Sequence, residues 1–168
     1  TLAETYGGMD IPIERYESMV ERIRDLLVPF EKDHGLAEQV GSGAAQMVGT
    51  SGTVTTLAAL NLGLLRYERR LIDGSWLDAS AIFKVSARLF AMSHADRIQH
   101  PCIGESRADL VIAGCAIFDA IFQIWSAPGV RVADRGVRDG ILFHLMSATD
   151  SETFATTDLR SRSIATAR

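Results

Sequence analysis

Apolar residues at Ile13, Tyr16, Val20, Ile23, Leu27 and Phe30 recur in alternating steps of three and four, with Glu14, Arg15, Glu21, Arg22 and Asp25 between them. That spacing places one greasy face on a helix running to about Lys32. Pro12 sits in its expected first turn, where a missing N–H costs nothing, and Pro29 is expected to bend or end it. The opening Thr1 brings no cap or turn signal, so the chain reads as a piece or processed product of a longer one.

The run Ala44 to Val48, followed by Gly49-Thr50-Ser51-Gly52, predicts a buried strand and a turn, with a helix over 53–62. Helix propensity there is mediocre, because Thr53, Val54, Thr55 and Thr56 are all β-branched. Residues 63–77 read as a connection turning at Asp73-Gly74. Asp78 is a predicted cap for a helix with Ile82, Val85, Leu89 and Met92 on its inner face. A short piece follows over 93–99, ended by Pro101. Ser106 and Asp109 have the spacing of a capping box for a central helix from Leu110 to Trp125, apolar nearly all round. Val130 to Ala133 is a second short strand. Asp134-Arg135-Gly136 turns into a last helix carrying Val137, Ile141, Leu142 and Leu145. Beyond about Ser147 the residues are Ser, Thr, Ala and Arg with few apolar ones, the composition of a mobile tail over 148–168.

Composition narrows the function classes. Hydrophobic content of 47% with 23% charged residues is that of a globular chain, and a net charge of −4 offers no footprint for nucleic acid. No basic run suggests a membrane surface. The apolar stretch Leu110 to Trp125 is broken by Asp119 and Gln123, which fits a buried helix better than a membrane span. Two cysteines without CxxC spacing argue against a disulfide framework and fit a cytoplasmic setting. His94, His100 and Cys102 match no common zinc spacing, and His34 and His144 stand alone; surface or capping roles are expected for all four histidines.

The candidate site is Gly49, Thr50, Ser51, Gly52 and Thr53. A strand that turns through glycines into a helix presents free N–H groups at the positive end of the helix dipole, an arrangement that receives phosphate. The P-loop lysine pattern is absent, and a plain strand-to-helix turn is the competing account. Arg107 is the second candidate. In the first turn of the central helix a cation opposes the dipole and would welcome an anion, unless Glu105 or Asp109 pairs with it. Arg135 and Arg138 meet the same conflict beside Asp134 and Asp139, which reads as a structural network. No catalytic residue and no metal ligand can be assigned.

Taken together, Gly49-Thr50-Ser51-Gly52-Thr53-Val54-Thr55-Thr56-Leu57, Arg107-Ala108-Asp109 leading to Gly114, and Asp134-Arg135-Gly136-Val137-Arg138-Asp139-Gly140-Ile141-Leu142 resemble successive signatures of the exopolyphosphatase/guanosine pentaphosphate phosphohydrolase (Ppx/GppA) family. The resemblance implies an α/β, helix-rich partial second domain of an actin-like ATPase (ribonuclease H-like) fold over residues 1–147, with few short strands. It implies removal of terminal phosphate from polyphosphate or from guanosine pentaphosphate (pppGpp). A divalent metal, Mg, would serve the full-length parent, held by residues outside this chain together with the general base. Residues 49–53 would face the cleft and Arg107 would stand near substrate. The expected partners are polyphosphate or guanosine pentaphosphate and tetraphosphate, without nucleic acid or membrane, a homodimer being left open. This chain alone is expected to be inactive. A non-catalytic alarmone- or nucleotide-binding module and a dimerisation domain are the alternatives. The family's Asp-and-glycine phosphate loops are not found in this sequence.

Overall fold

The computed structural model describes residues 1–147 in two compact units, Thr1–Asp134 and the segment from Arg135 onward. The expected tail over 148–168 lies outside the described residues. In the second unit residues 137–147 are helical, with Asp139 Oδ2 accepting from the Gly136 N–H at 3.0 Å.

The first unit begins with α1 (Leu2–Tyr6), and here the reading of Thr1 is corrected. Its hydroxyl accepts from the Glu4 N–H at 3.3 Å in a capping box. The long helix α2 (Ile13–His34) has Pro12 as its cap and Pro29 inside it. Pro29 does not end the helix. The single backbone bond it forfeits is outweighed by Met19, Val20 and Ile23, which are buried along the same helix. The stop comes at Gly35, whose left-handed φ of 61° lets its N–H bond to Glu31 O. Glu31 then accepts from the N–H groups of Leu36 and Ala37, both at 3.0 Å, and so starts α3 (Leu36–Gly41).

Three short strands form the sheet, in the order β1 (Val48–Thr50), β3 (Gly129–Ala133), β2 (Trp76–Asp78). β1 runs parallel to β3, with Val48 opposite Arg131, and β2 runs antiparallel to it. Val130, Val132 and Leu77 are buried, while Arg131 points outward over the Trp76 ring. That is the period-two alternation of a sheet with one covered face.

The helices α4 (Gly52–Asn61) and α6 (Ala79–Ala91) pack on the sheet. α9 (Val111–Ile124) packs on both, and α2 runs along α9. Between these lie α5 (Arg69–Ile72), α7 (His94–Gln99) and the one-turn α8 (Glu105–Ala108). Among the described residues no helix is long and apolar enough to cross a membrane.

Two element boundaries differ from expectation, and both bear on the site. The strand before the glycine turn is Val48–Thr50 and not 44–48, so Gly49 lies inside it. A β-carbon on Gly49 would stand 2.9 Å from Val54 Cγ2 and 3.1 Å from Val130 Cγ2, so close packing demands the glycine there. The predicted capping box at Ser106 and Asp109 does not form. Leu110 donates to Arg107 O three residues back, which closes α8 tightly before α9 begins without a side-chain cap.

Candidate functional site: an anion pocket at the start of α4

The chain leaves β1 at Thr50, passes Ser51 and enters α4 at Gly52. Ser51 has a φ of 84°, the one positive φ outside glycine among the described residues. A non-glycine residue held there stores strain. The bend turns the chain directly into the helix, and Ser51 O becomes an acceptor for the Thr55 N–H (3.4 Å) and the Thr55 hydroxyl (3.2 Å). The N–H groups of Gly52, Thr53 and Val54 have no acceptor within the helix, as at any helix start.

Arg107 stands against this start. Its guanidinium lies so close that a β-carbon on Gly52 would meet Nε at 3.6 Å and Cζ at 3.8 Å. One arm donates to Thr56 Oγ1 at 3.0 Å, and Thr56 is itself buried. The guanidinium also sits over the Tyr67 ring, 5.6 Å from its centre. Tyr67 in turn donates its hydroxyl to Asp134 Oδ2 at 2.9 Å, and Asp134 is steadied by Arg69 at 3.6 Å and by its own N–H on Asp73 Oδ1. Burial raises the Tyr67 pKa; hydrogen bonding with Thr55 opposes that, and Asp134 adds to it.

Ser51, Gly52, Thr53, Thr56, Arg107, Leu110 and Val111 enclose a pocket of about 160 Å³. Gly49 and Thr50 contribute to a neighbouring apolar pocket of about 290 Å³ with Ile117, Phe118 and Val130. Of the expected site residues, the structure therefore gathers Ser51, Gly52, Thr53 and Arg107 at one place, and gives Gly49 a packing role beside it.

The sequence argument about Arg107 needs correction. It lies in the last turn of α8 and not in the first turn of the central helix, so no dipole conflict with α9 exists. Neither Glu105 nor Asp109 pairs with it; Asp109 is taken by His94 at 2.5 Å. Among the described residues no carboxylate forms an ion pair with Arg107. A half-buried cation thus lies beside the positive end of a helix, and both line one small pocket whose surface is mostly apolar. Thr56, Tyr67, Leu110 and Val111 were not singled out from the sequence. Tyr67 lies in a connection without periodicity, and nothing local marks it as a partner of a residue forty positions on.

No group of three His, Cys, Asp or Glu side chains among the described residues could hold a metal ion. The residues present therefore do not fit the divalent metal that the resemblance implies. His100 serves locally, its Nδ1 accepting from the Cys102 N–H at 3.2 Å.

Residues 1–149 match the model of the Ppx/GppA phosphatase family. The chain belongs to that family. A putative exopolyphosphatase of Haemophilus influenzae is 22% identical over 129 residues, which cover 77% of this chain and 35% of that protein. The crystal structure of the Aquifex aeolicus Ppx/GppA family member superposes with a TM-score of 0.70 at 24% identity, over 88% of this chain and 46% of that one. An exopolyphosphatase from Cytophaga hutchinsonii gives 0.67 at 19%, over 83% and 44%. At these identities the solved structures establish the fold, and the chain spans less than half the length of each. The α/β, helix-rich architecture with a small three-stranded sheet agrees with those structures.

Proposed function

We propose that this chain is part of a phosphoanhydride hydrolase that removes terminal phosphate from inorganic polyphosphate or pppGpp, and that it supplies one phosphate-contacting wall of the cleft. The observation that carries the reading is the meeting of Arg107 with the start of α4, a cation and a helix N-terminus lining one pocket without a carboxylate. Such chemistry depends chiefly on positioning and on stabilising charge spread over phosphoryl oxygens, which suits donors of this kind. In this reading residues 1–147 form part of the second domain of an actin-like ATPase fold. The general base and the ligands of a divalent metal are supplied by other residues of a longer parent. The isolated chain is accordingly inactive. Free, buried Cys102 and Cys115 support a cytoplasmic setting.

Titration of the chain with pyrophosphate, followed by amide NMR, tests the site. A phosphate at a helix start gains about 0.3–1 kcal/mol, and millimolar binding needs about 4 kcal/mol. The charged hydrogen bonds of Arg107, worth about 1.5–3 kcal/mol, must therefore share the anion. Ser51, Gly52 and Thr53 should shift at millimolar concentrations, less so in high salt, and Arg107→Ala should weaken the response. Shifts elsewhere, with 51–53 unmoved, would sink the assignment.

A further inference from the structure

Arg107 is a long, flexible side chain without a carboxylate to aim it among the described residues, yet its guanidinium rests in one place. Two contacts define that place: the hydroxyl of Thr56 on one side and the face of Tyr67 on the other. Thr56 fixes one arm of the guanidinium but leaves rotation about that bond. The ring removes this freedom, because a planar cation is attracted to an aromatic face and stacks against it. Tyr67 is itself anchored from below. Its hydroxyl donates to the Asp134 carboxylate just past the end of β3, and that carboxylate is fixed by Arg69 and by the Asp73 bond to its backbone. Donation to an anion also pushes electron density into the phenol ring, which deepens the attraction of its face for a cation.

Resting on the anion reading given above, we infer that Tyr67 is a positioning residue: its ring, held by Asp134, orients Arg107 toward the start of α4 and so sets the affinity of the pocket for phosphate. The interaction runs from the end of β3 through Asp134, Tyr67 and Arg107 to Thr56 on α4, and ties the cation to the same sheet that positions Ser51. A mobile Arg107 would have to be ordered on each binding event, whereas one held over the ring and bonded to Thr56 is ordered beforehand.

The experiment uses the 168-residue chain and pyrophosphate as the probe. In the unliganded protein the Arg107 Hδ and Hε resonances should lie upfield of their usual positions through the Tyr67 ring current, and Tyr67→Leu should return them. Tyr67→Leu should weaken pyrophosphate binding about two- to fivefold, the scale of a cation–π contact, and Tyr67→Phe, which keeps the ring but loses the Asp134 anchor, should fall between it and wild type. In an Arg107→Ala background the Leu substitution should add nothing, since the partner it acts through is gone. If Arg107→Ala weakens binding and Tyr67→Leu does not, the positioning role fails and the anion pocket stands. If the wild-type chain ignores pyrophosphate, or Arg107→Ala binds as well as wild type, the anion reading fails and this inference with it. Ordinary shifts for the Arg107 protons in the wild-type protein would overturn the stacking whether or not the Leu variant folds.

Discussion

The side chain of Thr53 occupies the space in which a β-carbon of Gly114 would stand: such a carbon would lie 2.5 Å from Thr53 Cγ2. Gly114 lies in the first turn of α9, and inside a helix glycine is worse than alanine by up to about 1 kcal/mol in propensity alone. The close approach of α4 to α9 explains why it is there. Gly114→Ala should therefore destabilise the fold by about 1–3 kcal/mol through overpacking, and should disturb the start of α4. Urea denaturation measures the loss. Adding Thr53→Ala to Gly114→Ala should recover part of it, and a strictly additive double mutant would show that the two residues do not compete for that space.

Ser51 offers a test of strain against function. Glycine adopts its positive φ without steric cost, so Ser51→Gly should raise stability or leave it unchanged, within about 1 kcal/mol. The same change should loosen the turn and weaken pyrophosphate binding. A variant that melts lower than wild type would mean that the Ser51 conformation is not strained.

Tyr16 and Asp119 form a polar contact between α2 and α9, with the tyrosine hydroxyl donating to Oδ2 at 2.5 Å and Oδ1 buried without a partner. Burial raises the Asp119 pKa, and the Tyr16 bond opposes the rise. The folded state therefore holds this proton more tightly than the unfolded chain. Its stabilising contribution is complete below the unfolded value near 3.8 and is lost as pH climbs through the raised folded value. Asp119→Asn should remove that dependence and gain stability over wild type at neutral pH, the gain shrinking in acid. Tyr16→Phe should cost about 1–3 kcal/mol at neutral pH by stranding the carboxylate. Parallel melting curves for wild type and Asp119→Asn at every pH would refute the account.

Arg97, only 1% exposed, joins three parts of the chain. It donates to Leu89 O and Met92 O at the end of α6, to Met9 O, and to Asp10 Oδ1 at 3.3 Å. Arg97→Met should cost about 1–3 kcal/mol, because three carbonyls lose their donor, while Asp10, two-thirds exposed, stays solvated. Arg97→Lys should recover little of this, since an ammonium cannot span all four acceptors. Chemical denaturation of both variants provides the comparison.

How much of this was legible in the sequence depended on distance along the chain. The face of α2, the short piece over 93–99, the apolar run of α9 and the helix after Asp78 are local patterns, and each appears near its expected place. β2 was missed because three residues, Trp76 to Asp78, are too few to show alternation. β1 was placed too early because Ala44 to Val48 is apolar, whereas glycine hides a strand whose tightness comes from Val54 and Val130. At the site, the glycine turn could be read and its hold on phosphate argued. The partners of Arg107 could not, because Thr56 on α4 and Tyr67 in the connection after it lie 51 and 40 positions away and meet it only in the folded chain.

Since β1 pairs in parallel with β3, the two strands are joined by everything from α4 to α9. A ladder between such distant segments closes a very large loop, and pairing of this kind forms slowly and late compared with local helices. Ser51 takes its bend at the end of β1, so the bend cannot be fixed before β3 arrives. During synthesis the helix start and its glycines emerge long before the strand that shapes them. The Ser51 turn should thus be among the last features of the chain to acquire its native form, and refolding followed at Ser51 should lag behind refolding followed at α2.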